Sequence, residues 1–223
     1  MPIVALIDYG SGNLRSAEKA LARAAQESAT GHEIVVTSDP GEVASAERIV
    51  LPGVGAFADC MRGVSSIPGM VAILEDKVLT RGTPFLGICV GMQLLAEVGR
   101  EHGDHKGLGW IPGEVVKITP HANEQGESLK IPHMGWNALS TLHPHAMLEG
   151  MAEGTDVYFV HSYRIVPKNP VHVLAATDYG GAIAAVVGRD NIVGTQFHPE
   201  KSQAVGLAFL KRFLKWQVSR IRA

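Results

Sequence analysis

The residue best suited to chemistry is Cys89, which lies in the pattern G-x-C-x-G at 87–91, directly after the apolar run Phe85–Ile88. This arrangement predicts a nucleophile elbow, a sharp strand-to-helix turn that holds a nucleophile above a sheet. The start of a helix favours the reactive thiolate, and the N–H of Val90 would face an oxyanion formed at Cys89. The alternative is a small buried apolar residue, and that structural role is the one we expect for Cys60, which lacks flanking glycines.

A catalytic thiol needs a proton acceptor, and the acceptor needs an orienting group. The segment F-H-P-E at 197–200 follows a predicted strand, and its proline prevents an immediate helix. Glu200, two positions beyond His198, can bring its carboxylate to the imidazole. A lone histidine is more often structural than catalytic, but the elbow and this segment together predict a Cys89-His198-Glu200 triad. His102 and His105 lie in a glycine-containing loop without further ligands, so we expect no metal and no cofactor.

The elements that must position these residues fall into two patterns. In the first half, short runs that are apolar at nearly every position alternate with helical patterns, which is typical of a parallel sheet covered on both faces. The predicted strands here are Ile3–Ile7, Ile34–Thr37, Arg48–Leu51 and Phe85–Ile88, with helices at Asn13–Gln26 and Val71–Leu79.

The second half of the chain has closely spaced β-type runs separated by turn residues, which favours antiparallel hairpins joined to the same core. The predicted strands are Glu114–Ile118, Tyr158–Tyr163, Val173–Thr177, Ile183–Val187 and Ile192–Gln196, and a final helix spans about Ser202 to Arg220. The 223 residues suit one large α/β domain, so we expect a single domain over 1–223.

Composition excludes several classes of protein. Lys and Arg together number 20 against 22 Asp and Glu, which does not suit a protein built to bind nucleic acid or an anionic membrane. No apolar run approaches bilayer-spanning length, and the N-terminus reads as a strand and not as a signal peptide. With two cysteines, at least one of them expected to be free, we expect a cytoplasmic protein with a small substrate.

The segments around Cys89 and His198 resemble those of a known family. G-I-C-V-G-M-Q-L at 87–94 with H-P-E at 198–200 is similar to the class I, triad-type glutamine amidotransferases, and the similarity extends over essentially the whole chain. Three more segments, D-Y-G-S-G-N-L at 8–14, L-P-G-V-G-A-F at 51–57 and P-H-M-G-W-N at 132–137, resemble the glutaminase subunits of imidazole glycerol phosphate synthase. The resemblance implies a flavodoxin-like fold, with a central, mostly parallel sheet, helices on both faces and an antiparallel C-terminal extension.

The resemblance also implies roles for particular residues. Besides Val90, it places oxyanion donors in the loop that follows the third predicted strand, here called the oxyanion loop: Gly53, Val54 and Gly55. It places contacts to L-glutamine at Gln93, His161, Ser162 and Tyr163. It places contacts to a partner chain at Asn13, Ser16, Trp136, Tyr158 and Lys201. Nothing in the residue patterns alone would favour the oxyanion loop over a plain strand-to-helix turn.

In the family this resemblance points to, ammonia released from glutamine is used by a (β/α)8-barrel cyclase, which makes imidazole glycerol phosphate and an aminoimidazole-carboxamide ribonucleotide in histidine biosynthesis. The sequence ends at Ala223, shortly after Glu200, so we expect the cyclase to be a separate polypeptide. We also expect little glutaminase activity without that partner and its ligand.

Two alternatives stay open at this point, another class of enzyme and a protein without catalytic activity. A cysteine peptidase, or the glutaminase subunit of another amidotransferase, would share the elbow and triad, although the segments at 8–13 and 132–137 argue against both. A catalytically silent binding subunit would be expected to lack a triad member. A dinucleotide fingerprint at 8–13 is rejected, because Arg15 stands where the third glycine is required.

Overall fold

The computed structural model describes residues 1–10, 14–121 and 129–218. The helices are α1 (Leu14–Ser28), α2 (Pro40–Ser45), α3 (Phe57–Ser66), α4 (Met70–Glu75, continued by a π-helical turn over Asp76–Thr80), α5 (Val90–Gln93) and α6 (Gln203–Lys215), with 3-10 turns at Ala146–Leu148, Pro170–His172 and Pro199–Lys201. The strands are β1 (Ile3–Ile7), β2 (Glu33–Thr37), β3 (Arg48–Gly53), β4 (Phe85–Cys89), β5 (Val98–Gly99), β6 (His105–Lys106), β7 (Gly113–Lys117), β8 (His133–Ala138), β9 (Ser140–Thr141), β10 (Asp156–His161), β11 (Tyr163–Pro167), β12 (Val173–Asp178), β13 (Ala182–Arg189) and β14 (Ile192–Thr195).

The central sheet has the strand order β2-β1-β3-β4-β14-β13-β12-β9. Strands β2, β1, β3, β4 and β14 pair in parallel, and the pairs from β14 through β13 and β12 to β9 are antiparallel. The predicted parallel sheet with an antiparallel C-terminal extension is therefore confirmed. Every residue of β4 is buried, as expected for a strand with helices on both faces.

Two smaller sheets complete the β structure of the described residues. Strand β8 pairs antiparallel with β10, and β11, β7, β5 and β6 form a four-stranded sheet. The run Tyr158–Tyr163, predicted as one strand, is split at Ser162, because β10 pairs with β8 whereas β11 pairs with β7. That one-strand prediction was wrong: periodicity along the chain does not show where a strand passes from one sheet to another.

The C-terminal helix and β8 also differ from expectation. Helix α6 ends at Lys215, short of the predicted Arg220, because Trp216 has extended backbone and its carbonyl accepts a hydrogen bond of 2.9 Å from Arg48 Nη1. Strand β8 was not predicted, since H-M-G-W-N-A lacks the β-branched residues that mark strands. Its pairing with β10 is what makes it a strand.

Glycines let the elbow lie close against its neighbouring strand. A Cβ atom at Gly91 would lie 1.9 Å from the Leu51 carbonyl oxygen, and one at Gly53 would lie 2.6 Å from the Gly91 nitrogen. Such distances are far inside van der Waals contact, so any side chain at either position would push α5 away from β3. This packing holds α5 against the carboxyl end of β3, and ligands bind at the carboxyl ends of the strands in open α/β folds.

Both cysteines are free and buried, as expected for at least one of them. Within the described residues, no single helix is long and apolar enough to cross a membrane, and α3 with the helical segment Met70–Thr80 passes such a test only as a pair bent by 95°.

Candidate active site

Cys89 is the last residue of β4 and the N-cap of α5, with φ 55° and ψ −112°. This is a conformation that residues with a Cβ rarely adopt, and holding it costs on the order of 1–3 kcal/mol. The tight packing of Gly91 against β3 and of Gly87 against the Gly91 carbonyl, where a Cβ would lie 2.6 Å from the oxygen, maintains it. The predicted sharp strand-to-helix turn is therefore present at Cys89.

The helix after the elbow is a single turn. Helix α5 covers only Val90–Gln93, and the chain continues through Leu94 as a tighter turn. A single turn sums few peptide dipoles, so the helix dipole adds little to the stabilisation of a thiolate at Cys89. What remains at the elbow is the set of backbone N–H groups of the first turn, which have no acceptor within the helix.

The triad is assembled around His198. Its Nδ1 lies 2.7 Å from Glu200 Oε1, and the two side chains are only 4% and 6% exposed. Burial by itself would lower the pKa of His198, but hydrogen bonds to the Cys89 thiol and the Glu200 carboxylate outweigh it and raise the pKa to about 9. The structure therefore brings Cys89, His198 and Glu200 together, with the histidine between the thiol and the carboxylate.

Backbone contacts to β10 fix the position of His198. The His198 N–H donates to the Tyr158 carbonyl at 2.9 Å. Ser202 Oγ donates to the His198 carbonyl at 2.7 Å and accepts from the Tyr158 N–H at 3.0 Å. These bonds pair backbone groups of His198 and of Tyr158. A shift of His198 would therefore leave polar backbone groups unpaired.

The oxyanion loop adjoins the nucleophile. Gly53, the last residue of β3, pairs directly with Cys89 of β4. Val54 and Gly55, together with Val90, line the same cavity as the thiol. The loop is thus placed where donors to an oxyanion on Cys89 would be needed, and its role remains a prediction.

The cavity at Cys89 has a volume of about 200 Å3, suited to a ligand of amino-acid size. All four residues expected to contact glutamine lie on its walls, and so does Lys201. The lining residues are Val54, Gly55, Cys89, Val90, Gln93, Glu101, Val160, His161, Ser162, Tyr163, His198 and Lys201.

Gln196 is a site residue that the sequence reasoning missed. Its Nε2 lies 3.7 Å from Cys89 Sγ, and its Oε1 accepts from Gln93 Nε2 at 3.0 Å. Gln93 Nε2 also donates to the Tyr163 carbonyl at 3.0 Å. The signal was available, because Gln196 directly follows β14, and the carboxyl ends of adjacent parallel strands converge on one site. Glu101 also lines the cavity, and its carboxylate accepts a hydrogen bond from the Phe57 N–H at 2.8 Å. Nothing in the sequence around Glu101 indicated this position.

His161 forms part of the cavity wall in a neutral, oriented state. Its Nδ1 lies 2.9 Å from the Tyr163 carbonyl and its Nε2 lies 2.9 Å from His133 Nδ1, so His161 carries its proton on Nδ1 and accepts from His133. Burial lowers the pKa of each of these histidines to about 4. With both ring nitrogens occupied, the His161 side chain can shape the cavity but has no free polar atom for a substrate.

The residues expected to meet a partner chain lie in two places. Trp136 is 48% exposed and stacks edge-on against Tyr158, its direct cross-strand neighbour, with ring centroids 5.9 Å apart. Lys201 Nζ lies 5.8 Å from the centroid of the same tyrosine ring. Ser16 instead lies in α1, beside a separate cleft on whose wall Glu200 also lies. Asn13 lies outside the described residues.

No cluster of three or more His, Cys, Asp or Glu side chains in the described part of the chain is arranged to hold a metal ion. The groups at the site that can take part in chemistry are the Cys89 thiol, the His198 imidazole, the Glu200 carboxylate and the backbone N–H groups around them.

Comparison with known proteins places the site in a family. The model of the family described as glutamine amidotransferase class-I matches residues 5–216. The chain is 58% identical over 217 residues to the imidazole glycerol phosphate synthase subunit HisH of Brucella melitensis, a match that covers 96% of this chain and 99% of that one. It is 58% identical over 214 residues to the subunit of the same name from Rhodospirillum rubrum, covering 96% and 98%.

Solved structures agree on the fold. A structure described as a glutamine amidotransferase superposes with a TM-score of 0.67 at 18% identity, covering 94% of this chain and 98% of that one. The glutaminase domain of Trypanosoma brucei CTPS superposes with a TM-score of 0.64 at 15% identity, covering 98% and 96%. At these low identities, the solved structures support the fold and nothing more. The relatives at 58% identity distinguish between the kinds of protein that the sequence motifs left open. The chain belongs to the class I glutamine amidotransferases, among the HisH subunits of imidazole glycerol phosphate synthase.

Proposed function

We propose that this chain hydrolyses L-glutamine at Cys89, with His198 and Glu200, and delivers the ammonia to a cyclase on a separate polypeptide. By its family the chain is the glutaminase subunit of imidazole glycerol phosphate synthase, an enzyme of histidine biosynthesis. The observation that carries the residue assignment is the position of the buried His198, whose Nδ1 lies 2.7 Å from Glu200 Oε1 and which lines a cavity of amino-acid size together with Cys89.

The first half of the reaction forms a thioester. The Cys89 thiolate attacks the side-chain amide carbon of glutamine, and the carbonyl oxygen becomes an oxyanion. The N–H of Val90 and the oxyanion loop Gly53–Gly55 stabilise that charge. As the C–N bond breaks, the His198 imidazolium donates its proton to the departing nitrogen, so ammonia leaves and a γ-glutamyl thioester remains on Cys89.

The second half returns the enzyme to its starting state. Neutral His198 takes a proton from water, which attacks the thioester carbon. When the C–S bond breaks, glutamate leaves and the thiolate and imidazolium are restored. Glu200 holds the imidazole by its Nδ1, so that the Nε2 edge faces the thiol and the substrate.

Glutamine itself is proposed to lie against Gln93, Ser162 and Tyr163, with His161 as part of the wall. The partner is proposed to be a (β/α)8-barrel cyclase that covers Trp136, Tyr158 and Lys201, with Asn13 and Ser16 as further contacts. We further propose that residues 1–223 form one domain, which the family match over 5–216 supports. The two free thiols fit a cytoplasmic location.

The test is the variant Cys89→Ala, assayed in the complex with the cyclase. Glutamine-dependent synthesis should be lost, while synthesis from ammonium salts should stay at the wild-type rate, because the cyclase then receives its nitrogen directly. A glutamine-like electrophile should label the wild-type chain at Cys89 and leave the variant unlabelled. Glutamine hydrolysis by Cys89→Ala at the wild-type rate would remove the assignment.

A further inference from the structure

Two buried side chains that do not line the active-site cavity hold the oxyanion loop from behind. Tyr9 Oη donates to the Pro52 carbonyl at 2.6 Å, and Cys60 Sγ donates to the Val54 carbonyl at 3.6 Å. The catalytic scheme uses neither residue.

These two bonds set the direction of two peptide groups. In a trans peptide the C=O and the N–H point in opposite directions, so pinning a carbonyl also fixes where the next N–H points. The Pro52 carbonyl fixes the peptide that enters Gly53, and the Val54 carbonyl fixes the peptide that enters Gly55. The Gly53–Val54 peptide lies between these two fixed groups, beside Cys89.

The anchors themselves have little freedom to move. A Cβ atom at Gly63 of α3 would lie 2.7 Å from the Tyr9 ring, and one at Gly53 would lie 3.0 Å from its hydroxyl oxygen. The tyrosine is thus packed closely between α3 and the end of β3. Cys60 is 3% exposed, and burial is the main cause that raises the pKa of its thiol. The thiol therefore stays protonated at neutral pH and can donate.

We propose that Tyr9 and Cys60 are positioning residues for the glutaminase reaction, which clamp the peptides on either side of Gly53–Val54 so that this peptide is presented to the oxyanion at Cys89. The proposal rests on the proposed function, since it assigns the clamp to the same thiol chemistry. Neither side chain touches glutamine, so the clamp acts on the transition state and leaves substrate binding unchanged.

The experiment compares single-atom changes in the complex with the cyclase. Glutamate release is measured against glutamine concentration for wild type, Tyr9→Phe, Cys60→Ala and Cys60→Ser. Because small displacements of catalytic groups are costly, we expect Tyr9→Phe and Cys60→Ala to lower kcat about tenfold, with KM within about twofold of wild type. Cys60→Ser keeps a donor of similar size and should keep a kcat near that of wild type.

Val64→Ala is the matched control, because Val64 is buried on the same helix as Cys60 and bonds neither carbonyl of the loop through its side chain. It should keep the wild-type kcat. The clamp is disproved if Tyr9→Phe and Cys60→Ala keep the wild-type kcat, if they change KM in place of kcat, or if Val64→Ala loses as much. A wild-type complex that fails to hydrolyse glutamine would instead overturn the proposed function, and the clamp with it.

Discussion

At the scale of single residues, Cys89 combines a reactive side chain with a strained backbone. Its φ of 55° and ψ of −112° are tolerated by glycine and resisted by any residue with a Cβ. The position of the thiol above the sheet depends on this conformation, so the chain gives up stability to present its nucleophile.

The strain predicts an unusual order of stability among variants. At most sites glycine is less stable than alanine, but Cys89→Gly should be more stable than Cys89→Ala by about 1 kcal/mol, because only glycine relieves the strain. Urea unfolding of the two inactive variants measures the difference. If alanine is the more stable, the elbow is not strained in the folded protein.

The raised pKa of His198 predicts the pH range in which its imidazolium is present and stabilises the fold. Its value of about 9 lies above the ordinary 6.5, so the imidazolium is fully formed below 6.5 and is lost as the pH rises through 9. The stabilisation of the fold by this pairing has the same window: it is complete below 6.5 and gone above 9.

Glu200→Gln should weaken that pairing. The variant should have a kcat lower by about 100-fold or more. The alkaline limb of its kcat/KM profile should move to lower pH, because a glutamine amide does not stabilise the imidazolium as the carboxylate does. Glutaminase assays of wild type and variant from about pH 6 to pH 10 measure both effects. An unshifted alkaline limb would mean that Glu200 does not control the protonation of His198.

At the scale of elements, the site depends on how β10 and the 3-10 turn Pro199–Lys201 are joined. Ser202 lies at the end of that turn and has no exposed surface. Its hydroxyl bonds the Tyr158 N–H of β10 and the carbonyl of His198 at once. One side chain thereby ties the strand that lines the cavity to the residue that carries the proton.

Ser202→Ala should therefore cost both stability and activity. Removing the hydroxyl leaves a buried N–H and a buried carbonyl with one partner fewer, which should lower the free energy of unfolding by about 2 kcal/mol. The kcat for glutamine hydrolysis should fall as His198 loses its fixed position. Denaturation and kinetics on the same preparation test both effects, with Ser66→Ala, an exposed serine at the end of α3, as the matched control. A wild-type kcat in Ser202→Ala would mean that the hydrogen bonds of Ser202 to Tyr158 and His198 are not needed for catalysis.

At the scale of the whole molecule, the cavity opens beside a surface with exposed aromatic and basic groups. Trp136, Tyr158 and Lys201 lie together, and Lys201 also lines the cavity. A partner docked on these residues would lie beside the cavity that contains Cys89. Ammonia released into water is protonated and lost as a nucleophile, so a partner next to this cavity is physically sensible.

Trp136 should be an anchor of that contact. Trp136→Ala should weaken binding of the cyclase by at least tenfold, because a large exposed tryptophan at the centre of an interface commonly contributes about 2 kcal/mol. Isothermal titration with the cyclase measures the change. Val171→Ala is the control, since Val171 is 52% exposed and lies in a different part of the chain, the 3-10 turn Pro170–His172. Equal binding by Trp136→Ala and wild type would move the interface elsewhere.

The sequence by itself predicted the parallel strands and the grouping of Cys89 with His198 and Glu200. Strands buried on both faces read as continuous apolar runs, and the glycines around Cys89 mark a turn that few other residues allow, so these features have local signals. The pair His198 and Glu200 is also local, because two positions along extended chain bring the carboxylate to the imidazole.

Only the tertiary structure decided what depends on contacts between distant segments. Gln196 meets Cys89, and Tyr9 and Cys60 reach the oxyanion loop, because separate elements are packed together. The split at Ser162 and the end of α6 at Lys215 likewise follow from pairing between sheets and from Arg48. The physical reason is the same in each case: hydrogen bonds between residues far apart in sequence leave no periodic pattern in the chain.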